Sequence, residues 1–204
     1  MIAGKLSLLT DEAFHWQCSQ FPALAYPEHP FMTAVLAGLG THLLGTSYLG
    51  ARFFFLVLGL FIPFYVYILA RPIVGERDGI YAALLSLCVP LLTGIGIVAM
   101  PDVPLIIITL LSLIAFEHAT RTNTTMHWIY TGLAIAAGFC THYRFIVVVG
   151  GFFLYLILTS AGRRYWRTSG LWMCIVIGAM GLIPVIWYNI QNHFAVIQYQ
   201  FMEH

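Results

Sequence analysis

Charged residues punctuate an otherwise apolar chain at intervals close to the width of a bilayer. Between Arg52 and Arg71 lie 18 uncharged residues, between Asp78 and Asp102 23, between Asp102 and Glu117 14, between Arg121 and Arg144 22, and between Arg144 and Arg163 18. Residues 168–202 carry no formal charge, and their apolar part is 171–188. A helix crossing about 30 Å of hydrocarbon needs roughly 20 apolar residues. The pattern therefore predicts about six spans. The third is short and is expected to run past Glu117 toward His118, its carboxylate snorkelling at the membrane rim. A further apolar run, 31–44, follows Pro30, carries His42 and is too short to cross. It is expected to be an interfacial or re-entrant helix. Ten-residue alternation of apolar and polar positions does not recur, which disfavours a β-barrel. The expected fold is an all-α polytopic membrane domain over 1–204. An outer loop and juxtamembrane amphipathic helix occupy 1–50, a six-helix bundle 51–190 and an outer segment 191–204.

Composition narrows the class. Of 204 residues, 60% are hydrophobic and 8% charged, against roughly 25% charged in a soluble domain. Mean hydropathy is +0.87. These values exclude a disordered chain, a basic nucleic-acid-binding domain and an ordinary cytosolic enzyme. The net charge of +1 points to no partner. Cys18, Cys88, Cys140 and Cys174 form no C-x-x-C pair, and three lie in apolar runs, so neither a disulfide framework nor a zinc finger is expected.

Positive charge orients the spans. One set of loops holds Arg71, Arg77, Arg121, Arg163, Arg164 and Arg167; the opposite set holds Lys5, Arg52 and Arg144. The first set is expected to be cytoplasmic. Residues 1–50, the turns near 100–104 and 141–144, and the C-terminus then face outward. The sequon Asn123-Thr124-Thr125 falls on the cytoplasmic side and reads as a chance match.

Polar groups gather on the outward face. Asp11-Glu12 precedes His15-Trp16, a pattern that also suits a helix start with Thr10 as N-cap and two carboxylates against the helix dipole. Tyr26-Pro27-Glu28-His29-Pro30 is a rigid extended turn or a plain loop. Pro101-Asp102-Val103-Pro104 puts a lone carboxylate at the end of a span, where it could serve only as a cap. Thr141-His142-Tyr143-Arg144 adds a basic aromatic turn, and Arg suits phosphate through its fork of donors. The stretch 187–193 closes the last span with Trp, Tyr, Asn, Gln and His. Ionisable groups at a membrane rim are functional candidates. Together they suit chemistry on an anionic lipid-linked substrate: a carboxylate as general base, Arg and His against a phosphate leaving group. No close-spaced ligand pair such as H-x-x-x-H is present. No metal site is therefore assigned, although His and carboxylates leave a divalent metal open.

In order, these residues resemble the GT-C type membrane glycosyltransferases, family 39 and family 83, which include protein O-mannosyltransferases and an aminoarabinose transferase. The resemblance runs from about Leu9 onward. It rests on Asp11-Glu12 with His15-Trp16, Glu28-His29-Pro30, Gly50-Ala51-Arg52 as the family's G-x-R, Pro101-Asp102-Val103-Pro104, His142-Tyr143-Arg144, and the segments 187–192 and 198–201. It implies a glycosyltransferase that moves a sugar from a polyprenyl-phosphate donor to a lipid or protein acceptor, amid membrane lipids. The expected setting is the periplasmic or lumenal face of a membrane such as the bacterial inner membrane. By the resemblance Asp11 is the candidate base, with Asp102 and Glu12 as further catalytic acids. His29, Glu28, His15, Tyr143 and Arg144 are expected to bind substrate. His29 stands where relatives often carry a basic residue, and Arg144 where many carry Lys nearby. Family members are longer and have a span before the acidic pair, so the chain is expected to be part of a larger enzyme. The alternatives are a transporter or flippase of polyprenyl-linked substrates, and an inactive truncated remnant or membrane partner subunit.

Overall fold

The computed structural model describes residues 4, 6–89, 98–194 and 196. Helices make up most of that range: α1 (Thr10–Gln20), α2 (Met32–Leu44), α3 (Tyr48–Val74), α4 (Glu76–Leu87), α5 (Asp102–Thr122), α6 (Thr125–Phe139), α7 (Ile146–Leu158), α8 (Ser160–Arg163), α9 (Ser169–Met180) and α10 (Ile183–Gln191). Short 3-10 turns fill Tyr143–Phe145 and Arg164–Arg167. Among the described residues there is no strand, and an isolated bridge pairs Ala25 with Pro30.

Among the described residues, three stretches are long and apolar enough to cross a membrane: α3 with 27 residues, α5 with 21, and α9–α10 together, Ser169–Gln191, with 23. A fourth arises if Tyr143–Leu158 and Ser160–Arg167, bent by 90°, count as one span. The expected span between Asp78 and Asp102 lies partly outside the described residues. The one expected between Arg121 and Arg144 forms α6, whose 15 residues rise about 22 Å. It is short because Asn123 takes a left-handed cap at one end (φ 51°) and residues 140–142 turn at the other. α5 runs past Glu117 as expected, and Glu117 pairs with Arg121 at 3.5 Å and His118 at 3.3 Å. α2 is a 13-residue apolar helix where the juxtamembrane element was expected. The segment 198–201 lies outside the described residues.

Two packed groups share α5. In the first, α2, α3 and α5 meet around Phe55, Ala37 and Val103. α2 and α3 cross backbone to backbone: a Cβ on Gly40 would lie 2.1 Å from the Gly50 carbonyl oxygen. In the second, α5, α6, α7 and α9 enclose Trp128, Phe145, Phe152 and Tyr165. Phe116 stacks on Phe152 at 4.2 Å. Gly132 and Gly178 let α6 and α9 approach closely, as small residues do between membrane helices. The outer surface stays apolar, with Leu60 79% and Val147 75% exposed. An apolar exterior of this extent suits lipid rather than water, so the chain is an integral membrane protein.

Candidate functional site

α1 starts one residue differently from the sequence expectation. Leu9 occupies the N-cap position, and Thr10 is the first helical residue. The side chain of Glu12 does the capping by accepting the Leu9 N–H at 2.9 Å. The same carboxylate accepts the Ala99 N–H at 2.7 Å and a two-pronged bond from Arg52, Nε at 2.7 Å and Nη2 at 2.5 Å. Arg52 also donates to the carbonyls of Leu6 and Ser7, each at 3.0 Å. Glu12 is fully buried and Arg52 is nearly so. Burial alone raises the Glu12 pKa, but Arg52 and the two backbone N–H groups outweigh it and hold the carboxyl below its ordinary value. Glu12, expected among the catalytic acids, does not line the cleft. It ties α1, the start of α3 and Ala99 in the segment leading into α5 together, and so positions its neighbour Asp11. This also accounts for the Gly50-Ala51-Arg52 motif: Gly50 permits the helix crossing, and Arg52 anchors the first loop.

The loop after α1 is closed by local bonds. The Tyr26 N–H donates to the His29 carbonyl at 2.9 Å, and the Tyr26 hydroxyl donates to the carbonyls of Cys18 at 2.8 Å and Phe21 at 3.0 Å. The two prolines thus hold Glu28 and His29 at the tip of a tethered turn. The Tyr143 hydroxyl donates to the Tyr26 carbonyl at 3.3 Å, joining this turn to the one after α6.

These elements surround a cleft of about 390 Å³ lined by Asp11, His15, Glu28, His29, Met100, Pro101, Asp102, His142, Tyr143 and Arg144. Every expected site residue except Glu12 is there. Asp11 and Arg144 are exposed, while Glu28, His29, Asp102 and Tyr143 are half-buried. Asp102 opens α5, so the positive end of that helix dipole faces the cleft.

His142 was visible in the sequence turn but was not chosen as a site residue. It belongs to a row of three imidazoles. His15 and His29 have ring centroids 5.2 Å apart, and His29 and His142 4.7 Å. Burial, with the neighbouring His29, pushes both His15 and His142 down to about 4. Burial also lowers His29, although Glu28, Asp102 and Asp11 pull it the other way. The row is therefore neutral at pH 7. His142 Nδ1 accepts the Arg144 N–H at 3.2 Å, which leaves Nε2 as its N–H donor. The cleft then holds three carboxylates, one guanidinium and neutral imidazoles. Among the described residues no three of His, Cys, Asp and Glu come together as metal ligands.

A second trough of about 500 Å³ lies between loop residues Pro22, Ala23 and Leu24 and the end of α10, where Trp187, Tyr188, Gln191 and Asn192 project.

Residues 28–188 match the family model described as dolichyl-phosphate-mannose-protein mannosyltransferase. An uncharacterized protein of Aquifex aeolicus (strain VF5) is 35% identical over 143 residues, which cover 64% of this chain and 27% of that protein. The chain thus spans little more than a quarter of that relative. No solved structure matches it. The family match covers most of the chain, including all the cleft-lining segments but the one with Asp11 and His15, and on that ground the chain belongs to the dolichyl-phosphate-mannose-protein mannosyltransferase family.

Proposed function

We propose that the chain carries the catalytic cleft of an enzyme that transfers a sugar from a polyprenyl-phosphate donor to a lipid or protein acceptor on the outer face of the membrane. The observation that carries this reading is the convergence of Asp11, Glu28, Asp102 and Arg144, from four separate segments, on one cleft at the end of a lipid-facing helical bundle. Asp11 is the exposed carboxylate of the set, open to an incoming acceptor. The acceptor oxygen attacks the anomeric carbon of the sugar, and Asp11 takes its proton. The bond from that carbon to the phosphate oxygen breaks, and the electron pair leaves with the polyprenyl phosphate. Arg144 meets the charge on that phosphate, and the His142 Nε2–H adds a neutral donor. Glu28 and Asp102 face the sugar hydroxyls. The aromatic and amide groups of the neighbouring trough suit a hydroxyl-rich acceptor.

Sugar transfer by the full-length protein with Asp11→Asn tests the base. A loss of about 10²–10⁴-fold is expected. Near wild-type transfer would overturn the assignment.

A further inference from the structure

The end of the bundle away from the cleft has its own arrangement. α5 runs from Asp102 at the cleft to Thr122, a rise of about 30 Å. At that far end the Tyr165 hydroxyl donates to the Thr120 carbonyl, which places the Arg164–Arg167 turn there. An apolar groove of about 320 Å³ opens between α5, α6, α7 and α9. Along α6 it runs from Trp128 to Phe139, about 16 Å. Trp166 sits at its far end, with its Nε1–H on the Leu156 carbonyl at 3.1 Å and its ring against Phe153.

Trp166 lies within a basic corner. Arg163, Arg164 and Arg167 are all exposed. Arg163 donates to the carbonyls of Ile157 and Leu158, at 3.0 and 3.2 Å, which the 90° bend after α7 leaves accessible. The Arg164 guanidinium lies over the Tyr165 ring, 4.8 Å from its centroid. Two of the three charges are thereby held in place with N–H groups to spare. Among the described residues the ion pairs are Glu12 with Arg52, and Glu117 with His118 and Arg121; none involves this corner.

We propose that this groove seats an acyl chain of an anionic membrane phospholipid whose phosphate is held by Arg163, Arg164 and Arg167. No charged residue lines the groove and, among the described residues, no carboxylate pairs with the corner's arginines, so the complementary molecule is apolar along its length and anionic at its head. Basic pockets between membrane helices bind anionic head groups on this physical basis. The arginine corner that holds the head group is about 30 Å from the cleft, and the proposal does not depend on the chemistry proposed there.

Native mass spectrometry of the full-length protein in mild detergent, with phosphatidylglycerol and phosphatidylcholine added at equal concentration, tests the proposal. The wild type is expected to retain phosphatidylglycerol in preference. Each arginine near an anionic head group contributes about fivefold in affinity, so Arg163→Gln/Arg164→Gln/Arg167→Gln is expected to lower phosphatidylglycerol affinity by about 10²-fold. Retention of phosphatidylcholine stays the same in that variant. Ala179→Trp, an exposed groove position, fills the groove and is expected to abolish retention of both lipids. Equal retention of the two lipids by the wild type would overturn the proposal. So would unchanged phosphatidylglycerol affinity in the triple variant, phosphatidylglycerol retained by Ala179→Trp, or no retained lipid in the wild type, as when another segment of the longer protein covers the groove.

Discussion

Replacing Arg52 by Met keeps most of the side chain's stem and removes its charge. Glu12 then keeps two backbone donors, Leu9 and Ala99, but loses both prongs of the guanidinium, and the carbonyls of Leu6 and Ser7 lose theirs. A fully buried carboxylate left without its counter-charge costs about 3–5 kcal/mol. At roughly 2–4 °C per kcal/mol for a domain of this size, the thermal midpoint in detergent falls by about 6–20 °C. Transfer activity falls with it, because the same pair holds α1 and Asp11 against the start of α5. The double variant Glu12→Gln/Arg52→Met removes the stranded charge and is expected to recover part of the loss, with a coupling of about 1–3 kcal/mol. The effect also has a pH signature. The folded-state pKa of Glu12 is depressed, so the pair's contribution is complete above its ordinary value of 4.5 and is lost as pH falls through the folded value. Arg52→Met and the wild type therefore converge in acid. A midpoint shift below about 2 °C at pH 7, or a double variant as unstable as the summed singles, would refute the reasoning.

The imidazole row has a separate pH response. His15 and His142 are held to about 4 by burial and by each other's neighbours, His29 and Arg144, while Glu28, Asp102 and Asp11 act in the opposite sense on His29. The unfolded chain binds more protons between that value and the ordinary 6.5, so stability falls as pH drops through this window, by about 3 kcal/mol for each imidazole. Thermal midpoints at neutral and acid pH should show the drop, and His15→Gln/His142→Gln should lessen it. Gly40→Val pushes α2 off α3 and is expected to cost about 1–3 kcal/mol or more, read as a lower midpoint together with weaker sugar transfer. Gly150→Ala is its control: a Cβ there meets nothing within 4 Å, and the variant is expected to be neutral or more stable by up to about 1 kcal/mol.

Much of the cleft was legible because polar residues are rare in this chain. With so few charges, Asp11, Glu28, Asp102 and Arg144 stood out against the apolar background, and span alternation placed them on one face. Glu12 was grouped with the cleft residues but lies outside the cleft lining for a physical reason: adjacent residues on a helix start point in different directions, and local pattern does not show which one meets Arg52, 40 positions away. His142 was passed over because the sequence shows a turn, not the edge-on contact of its ring with His29.

Span-length reasoning has a similar limit. The charge intervals correctly located α3, α5 and the α9–α10 stretch. They overran α6, because a left-handed cap at Asn123 and a turn at 140–142 end a helix without any change in hydropathy. The right-angled bend after α7 is also silent in composition, since Thr159 and the Gly162 contact with Leu156 act through local geometry.

Solvent class, helical architecture and the face on which the polar residues gather follow from the chain's own composition and spacing. Those properties sum over many residues, and burying unpaired backbone or charge in lipid costs too much for the pattern to mean anything else. Which carboxylate is structural and which faces the cleft depends on a few atoms meeting across distant segments. So do the neutrality of the three imidazoles and the joining of an apolar groove to a basic corner. Such contacts depend on helix rotation and packing, which one-dimensional order leaves undetermined.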